Sequence, residues 1–281
     1  MRTLILGAVA YDPKVVTIWE GFKHHFAEHG LPFDFILYSN YERLVEDQLA
    51  GVVDVAWNSP LAWIEAERAA GSSGRKAHAI AMRDTDRDLT SVVVVRAADK
   101  LRSLGELAGK TVAVGAADSP QATLIPLLLL ADAGLTPGRN FEVRHHDLLV
   151  GKHGDHVGGE REATRALAAG QVDATCMIDG NHLAFIQDGT LSPGSTRVLA
   201  QTPVYDHCNF TALDGAPQET LDRFTSLLLA MSYDDPTVRP LLDMEGLKAW
   251  RPGRVEGYAQ LNRAVDLFGT LDSWLALGRK G

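Results

Sequence analysis

Twice in this chain a strand-like run ends in Ser-Pro and passes straight into a helix-forming stretch. The first copy is 52–57, then Asn58-Ser59-Pro60, then 61–70; the second is 111–114, then Asp118-Ser119-Pro120, then the apolar run 124–130. Serine is a favoured N-cap and proline suits the first helical position, so each junction predicts a helix starting sharply at the end of a strand. The first N–H groups of such a helix have no partner within it and carry the positive end of its dipole. An anion is the natural guest there. Either junction alone also reads as an ordinary strand–helix connection; the repetition gives the pair its weight.

Strands and helices alternate along most of the chain. Strands are expected at 4–10, 33–38, 52–57, 78–82, 91–96, 111–114, 141–144, 172–178 and 197–199. Helices are expected at 14–29, 41–50, 61–70, 120–133 and 160–169, with Asn40 as a cap and Gly51 as a stop. A helical turn fits 181–186, and the segments 217–229, 236–242 and 254–277 read as mainly helical. This alternation predicts an α/β fold with mostly parallel sheets flanked by helices. Ligands of such sheets bind outside the carboxyl ends of the strands, where both Ser-Pro helices begin. Two half-sites then imply two lobes with a ligand cleft: 1–90 with 198–281 as the first lobe, 91–197 as the second.

A formal net charge of −9 argues against a nucleic-acid surface. It does not exclude an anionic ligand, because local amides and dipoles decide that. The run 1–10 lacks a preceding basic region and a small-residue cleavage site, so it reads as a first strand rather than a signal peptide. As written, the chain is expected in the cytoplasm. One trimmed to its mature start would look the same and be periplasmic or surface-anchored. No stretch is long and apolar enough to insert into a membrane. Cys176 and Cys208 cannot define a disulfide scaffold; they read as one bond, as metal ligands or, by default, as reduced core thiols.

Three ordered segments resemble the phosphate/phosphonate family of ABC-transporter substrate-binding proteins. Gly51-Val52-Val53-Asp54-Val55-Ala56-Trp57-Asn58-Ser59-Pro60-Leu61-Ala62-Trp63 is similar to the first-lobe signature, whose helix N-terminus meets the anion in that family. Leu107-Ala108-Gly109-Lys110-Thr111-Val112-Ala113-Val114-Gly115, followed by Ser119 and Pro126, resembles the second, and Ala168-Ala169-Gly170-Gln171-Val172-Asp173-Ala174 the third. The resemblance implies a two-lobed type II periplasmic-binding-protein fold, a small anionic ligand (a phosphate- or phosphonate-like oxyanion or a small carboxylate) and, for an exported chain, a membrane permease as partner. The family's Ser-Thr-Ser-Gly at the second anion loop is here Ser119-Pro120-Gln121-Ala122, which leaves Ser119 and Thr123 as its hydroxyls. Trp57-Asn58-Ser59 stands in place of a typical Phe-Gly, adding a ring and an amide.

On this reading backbone N–H groups at 59–61 and 119–121 hold the anionic group. Tyr11 lines the site, Trp57 forms an apolar wall, and Asn58, Ser59, Ser119, Gln121 and Thr123 lie nearby. Histidines concentrate between Arg144 and Cys208, among them His153, His156, His182 and His207, with Asp179 and Asp206 between them. They read in three ways: polar loop residues, charge-assisted donors to an oxyanion or carboxylate, or ligands of a divalent metal. Their spacing fits no standard metal motif such as His-Glu-x-x-His, so no metal or cofactor is assigned. A His–Asp pair could also act as acid and base near neutral pH. The alternative function is therefore a cytoplasmic decarboxylase or lyase on the same fold, acting on a small or aromatic carboxylic acid, with His156, His207 and Asp206 as candidates.

Overall fold

The computed structural model of the chain describes residues 2–154 and 159–269. The elements run β1 (Leu4–Val9), α1 (Lys14–Glu28), β2 (Phe33–Tyr38), α2 (Tyr41–Leu49), β3 (Val55–Asn58), α3 (Pro60–Ser72) and β4 (Ala77–Arg83). Next come β5 (Ser91–Arg96), β6 (Thr111–Val114), α4 (Ile125–Asp132), β7 (Glu142–His145), α5 (Glu160–Ala168), β8 (Ala174–Ile178), α6 (Asp179–Gln187) and β9 (Thr196–Gln201). The chain continues through β10 (Asn209–Leu213), α7 (Gln218–Ala230), α8 (Arg239–Glu245), β11 (Trp250–Pro252) and α9 (Ala259–Phe268). Local chemistry sets several of these ends. Asn40 accepts the Arg43 N–H at 3.0 Å to open α2, and Gly51 follows α2 with φ +76°, a conformation costly to side-chain-bearing residues.

Two units share these elements: the chain through Arg87 with Asp206–Tyr258, and Asp88–Tyr205 with the chain from Ala259 onward. The first unit has a six-stranded sheet in the order β11-β4-β10-β3-β1-β2, and the second a five-stranded sheet in the order β7-β6-β8-β5-β9. Both are mixed, where the alternation predicted mostly parallel pairing. The parallel part is β2, β1 and β3 in the first and β7, β6 and β8 in the second. β10 and β5 then pair antiparallel with both of their neighbours.

Two proposed lobe assignments differ from these units. The strand expected at 197–199 does not belong with the first sheet: β9 pairs along β5 from Val92↔Gln201 to Arg96↔Thr196. The helix expected to wrap the first lobe is α9, which packs on α4 of the second unit, with Phe268 against that unit's core. The remainder of that stretch, 270–277, lies outside the described residues.

The first unit's core is aromatic. Trp19, Phe22 and Phe26 occur at helical spacing on α1 and bury one face against the sheet and α7. Phe26 lies 5.2 Å from Phe224 between centroids, and Phe210 meets Trp250 at 5.2 Å. Such pairs add about 0.5–1.5 kcal/mol each beyond area burial, which fixes the sheet that carries the strand ends described next.

Candidate functional site

In the first unit, β3 ends at Asn58 and α3 begins at Pro60 with Ser59 as its cap; the Ser59 hydroxyl accepts the Ala62 N–H at 3.1 Å. The Ser59 carbonyl accepts the Trp63 N–H, and proline has none, so Leu61 carries the first-turn amide left outside the cap. Asn58 is fully buried; its Nδ2 donates to Gln48 Oε1 at 3.3 Å, and its Oδ1 meets no donor among the described residues. A buried acceptor in that state is costly unless something else donates to it.

Asn58 belongs to a directional polar network across the sheet. Gln48 Nε2 donates to the Thr211 carbonyl at 2.7 Å, and Thr211 Oγ1 to Asn209 Oδ1 at 2.7 Å. Asn209 Nδ2 donates to the Tyr258 hydroxyl at 2.8 Å, which donates on to the His207 carbonyl at 2.7 Å. Sequence reading found Asn58 but missed Gln48, Asn209 and Tyr258, whose places depend on β10 lying beside β3.

Trp57 is 5 % exposed, with its ring 4.6 Å from Phe210, edge-on to Trp250, and under the Arg83 guanidinium at 5.2 Å. Most of that ring is therefore core. Tyr11, just past β1, is partly buried against the same core.

The second unit repeats the device with a difference. Ser119 caps by accepting the Ala122 N–H at 3.2 Å, and its carbonyl accepts the N–H groups of Thr123 and Leu124. The first turn, Pro120–Leu124, is π-helical, and regular α-helix begins only at Ile125, where a continuous helix from 120 to 133 was expected. Pro126 is the reason: it has no N–H for the Ala122 carbonyl four residues back, and that carbonyl accepts the Gly115 N–H at 3.2 Å instead.

The loop before α5 lies against this turn. Asp118 Oδ2 accepts the N–H groups of Gly151 at 2.8 Å and His153 at 3.1 Å, and Gln121 Nε2 donates to the Gly154 carbonyl at 2.6 Å. Gly154 has φ +73°, and a Cβ there would stand 2.2 Å from Ser119 Oγ, so only glycine fits. Thr123 turns its hydroxyl to the Ala116 carbonyl at 2.8 Å. The Ser119 and Thr123 hydroxyls expected for a ligand are thus bonded within the protein.

Burial pushes the Asp118 carboxyl up to about 6 despite its two amide donors. The folded chain therefore holds a proton between about pH 4 and 6 that the unfolded chain has released, and stability falls as pH rises through that window. Asp118→Asn keeps an acceptor for both amides and should remove this slope, worth roughly 2–3 kcal/mol. Thermal melts at pH 4 and pH 7 read it; an unchanged slope in the variant would count against this origin.

Burial governs His153 and His182, two histidines of the second unit. His153 is fully buried, and burial alone drives its imidazole well below the ordinary value, so it is neutral rather than a charged donor. His182 shares a hydrogen with Thr196 Oγ1 at 2.9 Å and is likewise lowered by burial. Asp179 is exposed at the start of α6 and accepts from Thr90 Oγ1 at 2.8 Å. His156 lies outside the described residues.

Asp206 and His207, two of the three acid–base candidates, face different partners. Both Asp206 oxygens are taken by Arg254, at 2.6 and 2.5 Å, while His207 faces Asp86, with Nδ1 3.5 Å from Oδ1. Burial would raise the Asp86 carboxyl, but Arg83 and His207 overcome it and hold it at about 2. Arg83 and Asp86 pair with each other three residues apart, while their other partners, Glu245 and His207, are more than a hundred residues away.

The family profile described as "ABC transporter, phosphonate, periplasmic substrate-binding protein" matches residues 8–258. The chain belongs to that family. This phosphonate-family binding protein is 24% identical over 224 residues to the phosphate-import protein PhnD of Mycolicibacterium smegmatis, an alignment covering 78% of this chain and 65% of that one. The chain thus spans less than two thirds of that relative's length. PhnD1 of Prochlorococcus marinus in complex with methylphosphonate superposes with a TM-score of 0.69 at 18% identity, covering 95% of this chain and 98% of the other. XAC2383 of Xanthomonas citri, bound to chloride ion, gives 0.70 at 20% identity over 94% and 99% of the two chains. At these identities the structures establish the fold, that of type II periplasmic binding proteins.

The family is periplasmic by description. It gives no support to the cytoplasmic expectation; the mature-form alternative fits. No helix among the described residues is long and apolar enough to cross a membrane.

Proposed function

We propose that this phosphonate-family protein is the solute receptor of an ABC importer and that its ligand is a small phosphonate or a related tetrahedral oxyanion. Family membership supports the receptor role. For the ligand, the carrying observation is the buried end of β3, where the Leu61 amide and the unmatched Asn58 Oδ1 lie beside the Ser59 cap. An amide at a helix N-terminus suits an anionic oxygen, and Asn58 Oδ1 suits a donor such as a protonated oxygen of the same group. The turn at Ser119–Gln121 is proposed as the anion seat of the second unit through the Gln121 amide rather than its hydroxyls, since Ser119 donates its N–H to the Ala116 carbonyl and Pro120 has none. Tyr11, Trp57, His153, His156, Asp179 and His182 remain proposed contributors to ligand choice. The enzyme alternative is not favoured, because the family is one of transporter substrate-binding proteins.

Calorimetric titration with methylphosphonate, phosphate, sulfate and small carboxylates tests the reading. One tetrahedral oxyanion should bind at one equivalent, raise the melting temperature with dose and be recovered unchanged by phosphorus NMR. Binding confined to a carboxylate, or loss of the ligand with time, would overturn it. Ser59→Asp keeps a good cap while adding a negative charge at the seat. It should weaken binding by roughly a hundredfold, about 2.7 kcal/mol; unchanged affinity would remove 59–61 from the site.

A further inference from the structure

We infer that Asp86, His207 and Cys208 form a binding site for a thiophilic divalent cation of the zinc class, independent of the oxyanion reading. His207 and Cys208 immediately precede β10, and their donor atoms converge: Cys208 Sγ lies 3.1 Å from His207 Nδ1. Asp86 Oδ1 is 3.5 Å from the same nitrogen, and the three donor atoms all fall within 4.8 Å of one another. A tetrahedral ion with bonds of about 2.0–2.3 Å holds its donors roughly 3.3–3.8 Å apart, close to the two sides that meet at His207 Nδ1.

The surroundings have the character of a metal ligand shell. All three residues are buried. The His207 N–H donates to the Asp86 carbonyl at 2.8 Å, and the His207 carbonyl accepts from Tyr258, which fixes the segment from both sides. Arg83 grips the carboxylate with Nε on Oδ2 at 2.5 Å and Nη2 on Oδ1 at 2.9 Å, the kind of outer contact that orients a ligating carboxylate. Charge also balances. Asp86, a Cys208 thiolate and Glu245, whose carboxylate is 3.5 Å from Arg83, supply three negative charges against Arg83 and a divalent ion. One sulfur, one imidazole and a single carboxylate suit zinc or cobalt and not magnesium or calcium, which want oxygen donors. Three protein donors leave one coordination position for water.

Cobalt(II) is the probe. Metal-stripped protein titrated with cobalt should develop thiolate-to-metal charge-transfer absorption and tetrahedral ligand-field bands, saturating at one equivalent and bleached by zinc. Cys208→Ser and His207→Gln should lose the thiolate band or weaken binding more than tenfold, whereas Cys176→Ser should match the parent. Circular dichroism establishes that each chain is folded. If Cys208→Ser fails to fold, zinc protection of Cys208 from a thiol reagent in the Cys176→Ser chain gives the same reading. A folded parent chain with no thiolate band and no zinc retained in equilibrium dialysis at about 100 µM overturns the site, because structural zinc sites bind far more tightly. A band that persists in folded Cys208→Ser overturns it as well.

Discussion

Arg83→Met should destabilise the first unit by about 3–5 kcal/mol, the usual effect of removing one partner from a buried ion pair. Arg83 donates to both oxygens of Asp86 and, through Nη1, to the Glu245 carbonyl at 2.9 Å. Its guanidinium also lies 5.2 Å from the centre of the Trp57 ring. Burial works against its charge, but Asp86 and Glu245 reverse that and keep it protonated. Methionine preserves most of the stem's volume, so the loss would be electrostatic rather than a cavity. The double variant Arg83→Met/Asp86→Asn, which leaves only Glu245 without its cation, should recover part of the loss. Urea unfolding midpoints at neutral pH measure both. A single-variant loss below about 1 kcal/mol would mean that the pair is screened like a surface bridge.

The opposite sign is expected at Glu65. This residue is buried on α3, and burial together with Glu42 and Glu46 pushes its carboxyl up to about 8. The unfolded chain releases that proton near pH 4.5, so the folded state loses stability as pH climbs from there to 8, with a ceiling of about 5 kcal/mol. Glu65→Gln resembles the protonated form at every pH. It should match the parent near pH 5 and exceed it at pH 9 by roughly 2–4 kcal/mol, several degrees in melting temperature. An equal difference at both pH values would place the origin elsewhere than in this titration.

Local chemistry explains what could be read from the chain directly. The caps at Asn40, Ser59 and Ser119 act within three residues of themselves, and each is found where the sequence places it. The β-branched run Ser91–Arg96 forms a strand over its full length. Strands at Asn209–Leu213 and Trp250–Pro252 were not legible, because neither carries an alternation longer than five residues and both are specified by partners far away in sequence. The same distance hid the approach of His207 to Asp86. The state of the histidines was not legible for a different reason: polar composition says nothing about burial, and His153 is neutral because it is enclosed.

The position of β10 also orders the birth of the fold. It lies between β3 and β4, yet follows them by well over a hundred residues, the intervening chain being nearly all of the second unit. On a ribosome, the first unit's sheet must therefore wait with a gap at its middle, while residues 88–205 emerge as one uninterrupted piece able to pair their own strands. Aromatic residues of α1 stay without Phe210 and Trp250 through that interval. The N-terminal third of the chain, although made first, is thus among the last parts to cover its apolar surface.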